Sequence, residues 1–129
     1  FKKIKDAASG GEMSRIMLSI KSIMAKYKKL PSIIFDEIDT GVSGEISKKM
    51  GKIMKELGSR IQTFSITHLP QIAAMGESHF LIYKNDIDGY TKTMISRLND
   101  NERIVEIAKM LEGNNASESA YTHAKQLLN

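Results

Sequence analysis

Ile33-Ile34-Phe35-Asp36-Glu37 is a short apolar run that stops abruptly at two adjacent carboxylates. A continuous apolar run bounded in this way reads as a buried strand, expected to be central in a parallel sheet, with the two acids delivered at its C-terminal end. Open α/β sheets gather their ligands beyond that end of the strands. Asp36 there suits Mg²⁺, directly or through its waters, and Glu37 suits the task of orienting or deprotonating an attacking water in phosphoryl transfer. A strand that simply ends in a solvated Asp-Glu turn is spelled the same way.

Upstream of this strand lies Ser9-Gly10-Gly11-Glu12. Ser9 and Glu12 have the Ser-x-x-Glu spacing of a capping box. Met13, Ile16, Met17, Ile20, Ile23 and Met24 then recur with helical period, which predicts a helix over about 12–28 that exits at Pro31. Two glycines at a helix N-terminus let backbone amides approach an anion, and the helix dipole adds positive potential. An ordinary capped turn has the same tetrapeptide. Lys26, Lys28 and Lys29 fall near the helix end, where cations suit the dipole.

Downstream, Ile46, Met50, Ile53, Met54 and Leu57 mark a second helix, opened by Ser43 and closed by Gly58, of a length that suits a crossover. Residues 61–67 read as another buried strand, followed at once by His68 and then by a short helix from Pro70 to about Gly76. A histidine at a strand end can hydrogen-bond a terminal phosphate or an attacking water; a lone surface histidine looks no different. His79 and His123 are read only as surface residues, and the three histidines have no metal-site spacing. Residues 79–84 and 90–98 are β-rich around Asp86-Ile87-Asp88-Gly89, a hairpin turn. Two closing helices are expected near 101–112 and 117–128. The fold class is therefore α/β: a mostly parallel, right-handed β/α sheet with a late β-hairpin and two C-terminal helices.

The 129 residues, 41% of them hydrophobic, suffice for one core, and a start at Phe1 suggests a piece cut from a longer protein. The absence of cysteine excludes a disulfide framework and Cys-ligated metals and fits a reducing compartment. No apolar stretch is long enough to cross a bilayer, and no signal peptide is evident, so a cytoplasmic location and no membrane partner are expected. The net charge of +4 is carried by lysine clusters at Lys2, Lys3 and Lys5, at Lys26, Lys28 and Lys29, and at Lys48, Lys49, Lys52 and Lys55. These permit DNA contact and equally read as solvated helix faces, because no aromatic residues are interleaved.

Glycine-rich turn, helix, apolar strand with Asp-Glu, crossover helix and strand with histidine occur here in a distinctive order. The chain resembles the second half of an ABC-type ATPase head, a partial P-loop NTPase, and is most similar to bacterial DNA-repair members of the SMC-like group. The strings that carry the likeness are residues 9–17, 35–44 and 66–75, and it extends over nearly the whole chain, residues 79–100 being the least diagnostic. By resemblance, Ser9, Gly10, Gly11 and Glu12 match the signature motif, residues 33–37 the Walker B strand, Asp39, Thr40 and Gly41 the D-loop region, and His68 the switch histidine. The chain then divides into a signature helix (9–30), a Walker B, D-loop and switch-histidine region (31–78), a hairpin (79–98) and C-terminal helices (99–129).

Three departures matter. Ala8 and Glu12 stand where the general signature has leucine and glutamine, and a glutamate beside a phosphate favours helix capping over direct contact. Ser43 stands where many D-loops end in aspartate. No Gly-x-x-x-x-Gly-Lys-Ser/Thr loop is present to wrap the β- and γ-phosphates.

The resemblance implies ATP and Mg²⁺ as cofactors, with Asp36 on the metal and Glu37 and His68 catalytic at the nucleotide of their own head. Ser9, Gly10 and Gly11 would face the γ-phosphate held by a second head in an ATP-dependent homodimer. The Walker A loop would come from the N-terminal half of the same head, so the chain alone should not hydrolyse ATP. The implied setting is DNA double-strand break repair and recombination, with a nucleoid-associated location. Rival readings are a non-catalytic DNA-binding or scaffold module and a head fragment of another ABC or SMC-type ATPase, although Leu69-Pro70-Gln71 after His68 is unlike a transporter.

Overall fold

The computed structural model describes residues 9–42, 44–87 and 89–129. The lysine cluster at 2–5, Ala8, Ser43 and Asp88 lie outside the described residues. The chain divides into two compact units after Met75.

In the first unit, helix α1 (Gly10–Lys28) leads to strand β1 (Ser32–Asp36), helix α2 (Gly44–Gly58), strand β2 (Gln62–Ile66) and the short helix α3 (Pro70–Ala73). The capping box is formed, with Ser9 as N-cap, and α1 ends on Lys29 in the left-handed conformation, two residues before Pro31. β1 and β2 pair in parallel, Ser32 opposite Gln62 through Asp36 opposite Ile66, joined by the crossover through α2. α3 is shorter than the sequence suggests: it stops at Ala73, where the last N–H groups bond back to Pro70 and Ile72, rather than at Gly76.

The expectation that both strands are buried is corrected: β1 is buried on one face only, and β2 is largely exposed. Ile33 and Phe35 point into a core built with Leu18 and Ala25 of α1 and Met50 and Met54 of α2, whereas Ile34 is 57% exposed. Phe64 stands beside Ile34 in register, and Phe64 and Ile66 are exposed with it, so this apolar sheet face has no cover within the unit. The apolar stripe of α1 is likewise turned outward: Ile16, Met17, Ile20, Ile23 and Met24 are exposed, and the buried positions are Gly11, Ser14, Leu18 and Ala25. Small side chains let α1 approach the sheet and the loop after β1 closely. Lys21 spans the gap, its Nζ donating to the Ile34 carbonyl at 2.9 Å while lying 5.3 Å from the Phe35 ring centre.

The second unit holds strands β3 (Phe80–Ile87) and β4 (Tyr90–Arg97) and helices α4 (Asp100–Glu112) and α5 (Glu118–Leu128). β3 and β4 form an antiparallel hairpin from Phe80 opposite Arg97 to Ile87 opposite Tyr90, with Gly89 at φ +78° in the connection. Asp86 and Ile87, expected in the turn, are therefore part of the strand. The two strands of the hairpin pair with each other in a two-stranded sheet. α4 opens with an Asn99–Glu102 capping box and packs on α5 through Ile107, Ala108, Ala120 and Ala124, all buried. Arg103 of α4 anchors the start of the unit, donating Nη2 to the Gly76 carbonyl at 2.6 Å.

Candidate functional site at the rim of the parallel sheet

Because β1 and β2 run parallel and in register, their C-terminal ends emerge side by side. The Glu37 N–H extends the ladder by one step, donating to the Ile66 carbonyl at 3.0 Å. Asp36 and Glu37 on one strand end, and Thr67 and His68 on the next, therefore share one rim. Both carboxylates are exposed, as is the His68 side chain.

Glu37 adopts φ +44°, a left-handed conformation that costs a residue with a Cβ about 1–2 kcal/mol. It is held there by Thr40, whose N–H and Oγ1 both donate to the Glu37 carbonyl, at 3.3 and 2.9 Å. The tight turn is completed by the Val42 N–H donating to the Asp39 carbonyl at 3.0 Å. Asp39, at the centre of this loop, is only 1% exposed. Its Oδ2 accepts from Thr67 Oγ1, which in turn accepts from the Leu69 N–H at 3.0 Å. Its Oδ1 is buried without a hydrogen-bond partner and lies 4.0 Å from His68 Nδ1.

The same loop meets the start of α1. The Gly11 backbone sits so close to Gly41 that a Cβ at position 11 would stand 2.6 Å from the Gly41 carbonyl oxygen, and Gly41 itself is at φ +73°. Ser14 Oγ donates to the carbonyls of Gly10, at 3.0 Å, and Thr40, at 3.3 Å. Of the glycine-rich turn, Ser9 and Gly10 are open to solvent and Gly11 is not. The missing side chain at Gly11 is thus required by this chain's own loop, independently of any anion. Glu12 is engaged in capping: Oε2 accepts from the Ser9 N–H at 2.8 Å, and that bond, followed by the Ser9 hydroxyl, lowers its pKa below the usual glutamate range.

Among the described residues no cluster of three or more His, Asp or Glu side chains forms a metal cage. A strand-end carboxylate beside a second acid fits Mg²⁺, which takes one or two carboxylates and completes its shell with waters and substrate phosphates. The sequence reading picks out Asp36, Glu37, Asp39, Thr40, Gly41 and His68, and the fold brings all six to the turn after β1 and the neighbouring strand end. It misses Thr67 and Ser14, the side chains that tie this turn to β2 and α1. Thr67 directly precedes the histidine, and Ser14 lies one helical turn beyond Gly10; each reads locally as an unremarked hydroxyl.

No family model matches the chain. Over 127 residues, 98% of its length, it is 41% identical to the DNA repair protein RecN of Halalkalibacterium halodurans and 42% identical to that of Bacillus subtilis. Over 125 residues it is 41% identical to the DNA repair protein RecN of Vibrio cholerae. The chain spans about a fifth of the length of these relatives, 22% of the first two and 23% of the third. A solved chain from work on ATP-driven dimerization and DNA stimulated activation of SMC ATPases has the same fold, with a TM-score of 0.64 at 23% identity over 85% of this chain and 66% of that one. The likeness to RecN proteins therefore holds for nearly the whole chain, and the fold is shared with that solved chain.

Proposed function

We propose that this chain, a segment related to the RecN DNA repair proteins, completes and triggers the ATP site of an SMC-like head acting in DNA double-strand break repair. The observation that carries the reading is the shared rim: an exposed Asp-Glu pair and an exposed histidine at adjacent strand ends, with the Glu37 N–H bonded to the Ile66 carbonyl. In this reading Asp36 holds Mg²⁺ and Glu37 orients and deprotonates the attacking water. His68 contacts that water or the terminal phosphate of ATP bound by its own head. When bound, Mg²⁺ supplies charge neutralisation at the phosphates.

Ser9 and Gly10, exposed at the start of α1, serve the γ-phosphate held by a second head. Gly11 supports them by letting α1 seat against Gly41, and Glu12 holds the cap. ATP then favours a homodimer of heads because it supplies contacts absent when they are apart, and hydrolysis removes them. The Walker A loop comes from the N-terminal half of the same head. The uncovered face of Ile34, Phe64 and Ile66 is of the kind that such a half buries. Without that half the segment does not turn over ATP. The working location is the cytoplasm, at the nucleoid; among the described residues no helix is long and apolar enough to cross a membrane.

A second reading draws on Lys48, Lys49, Lys52 and Lys55, all exposed on α2: a module that meets DNA phosphates without catalysis. One variant separates the two. In the full-length protein, Glu37→Gln should bind ATP, accumulate closed dimers and turn over at least about 100-fold more slowly. Normal turnover removes Glu37 from catalysis, and salt-dependent DNA binding by a protein without ATP turnover leaves the second reading standing.

A further inference from the structure

We infer that Asp39 is a positioning residue for His68: its buried carboxylate engages the imidazole at Nδ1 and so assigns Nε2 to the nucleotide side of the rim. The inference deepens the reading of His68 given above and rests on it. A carboxylate oxygen that is buried and unpartnered is costly and uncommon in folded proteins. Asp39 Oδ1 is such an atom, and the imidazole of His68 lies 4.0 Å away. That separation is about 1 Å longer than an N–H···O bond. A small rotation of the exposed imidazole closes it.

The other half of the carboxylate is already fixed. Thr67 Oγ1 donates to Oδ2 while accepting from the Leu69 N–H, so the residues on either side of His68 lock Asp39 in place. Whichever ring nitrogen of a histidine is engaged by a fixed partner decides what the other can do. With Nδ1–H held, Nε2 either accepts from the attacking water or, when protonated, donates to a phosphate oxygen. Asp39 belongs to the turn that packs on Gly11 and receives the Ser14 bond at Thr40. The gap between Oδ1 and Nδ1 is therefore set by the same turn that seats the start of α1.

The test is a double-mutant cycle on ATP turnover in the full-length protein, using Asp39→Asn, His68→Ala and the pair. Asp39→Asn keeps the shape and a partner for Thr67 but can offer an amide N–H where Oδ1 was, favouring the wrong tautomer. The expected result is a fall in kcat of at least about tenfold with little change in KM. The double variant should be no slower than His68→Ala alone. Thr67→Val should slow turnover in the same way and Thr67→Ser should restore it, which keeps the test available if Asp39→Asn fails to fold. Losses that multiply in the double variant overturn the inference, since Asp39 would then act on the fold rather than through His68. Wild-type kcat in Asp39→Asn beside a slow His68→Ala overturns the positioning role alone, and wild-type kcat in His68→Ala overturns it together with the catalytic reading of His68.

Discussion

Replacing Gly11 by alanine should destabilise the protein, against the ordinary effect of that change in a helix. Alanine in a helix interior is favoured over glycine by about 1 kcal/mol. Here the added Cβ would stand 2.6 Å from the Gly41 carbonyl oxygen and 3.3 Å from its carbon, almost 1 Å inside comfortable contact. The loop cannot easily give way, because Ser14 holds the Thr40 carbonyl and Thr40 holds the Glu37 carbonyl. Overpacking against fixed backbone costs about 1–3 kcal/mol, leaving a net loss of up to about 2 kcal/mol once helix propensity is subtracted. Gly10→Ala is the control, since its Cβ would meet nothing nearer than the Thr40 oxygen at 3.8 Å. With a urea m-value of about 1–3 kcal/mol/M, Gly11→Ala should lower the unfolding midpoint by up to about 2 M, whereas Gly10→Ala, with the propensity gain and no clash, should raise it by up to about 1 M. A Gly11→Ala midpoint above wild type, or equal shifts at the two positions, would refute the close approach of α1 to this loop.

Two further outcomes concern stability. His79 is half-buried with its Nδ1 unpartnered; burial, and then the Arg103 charge, push its pKa down, against a smaller opposing effect of Glu106. The unfolded chain therefore takes up the proton first as pH falls. Its contribution is fully present above the ordinary histidine range and is lost on acidification from that range through the folded pKa. His79→Leu should flatten the dependence of urea midpoint on pH in that window, and an unchanged slope would show that another group carries it. Phe35→Ala, at a position with no exposure, should cost about 3–5 kcal/mol, whereas Phe64→Ala on the uncovered face should cost about 1 kcal/mol in this chain. Chemical denaturation of the two variants reads the difference, and similar losses would mean that the Phe64 face is covered after all.

Local features were legible wherever a short string dictates geometry. The Ser9–Glu12 capping box, the Pro31 exit, the order of strands and helices and the delivery of Asp36 and Glu37 at a strand end all follow from neighbours a few residues apart. The Asn99–Glu102 box of α4 has the same kind of local signature, Asn-x-x-Glu. Helical periodicity in α1 was real, but it identified an apolar face without saying which neighbour takes it. The packed face runs through Gly11, Ser14, Leu18 and Ala25, because small residues permit the closest approach. Ile23 and Met24 are left exposed.

The sequence by itself determined the elements and which polar residues end each strand, since both depend on contacts within one or two turns of chain. Only the tertiary structure decided that Glu37 and His68 share a rim, that Asp39 is buried beside His68, and that Gly11 yields its side-chain space to Gly41. Each of these joins residues at least 29 positions apart. Such pairings depend on strand register and helix approach, quantities set by the whole core and by no local run of residues.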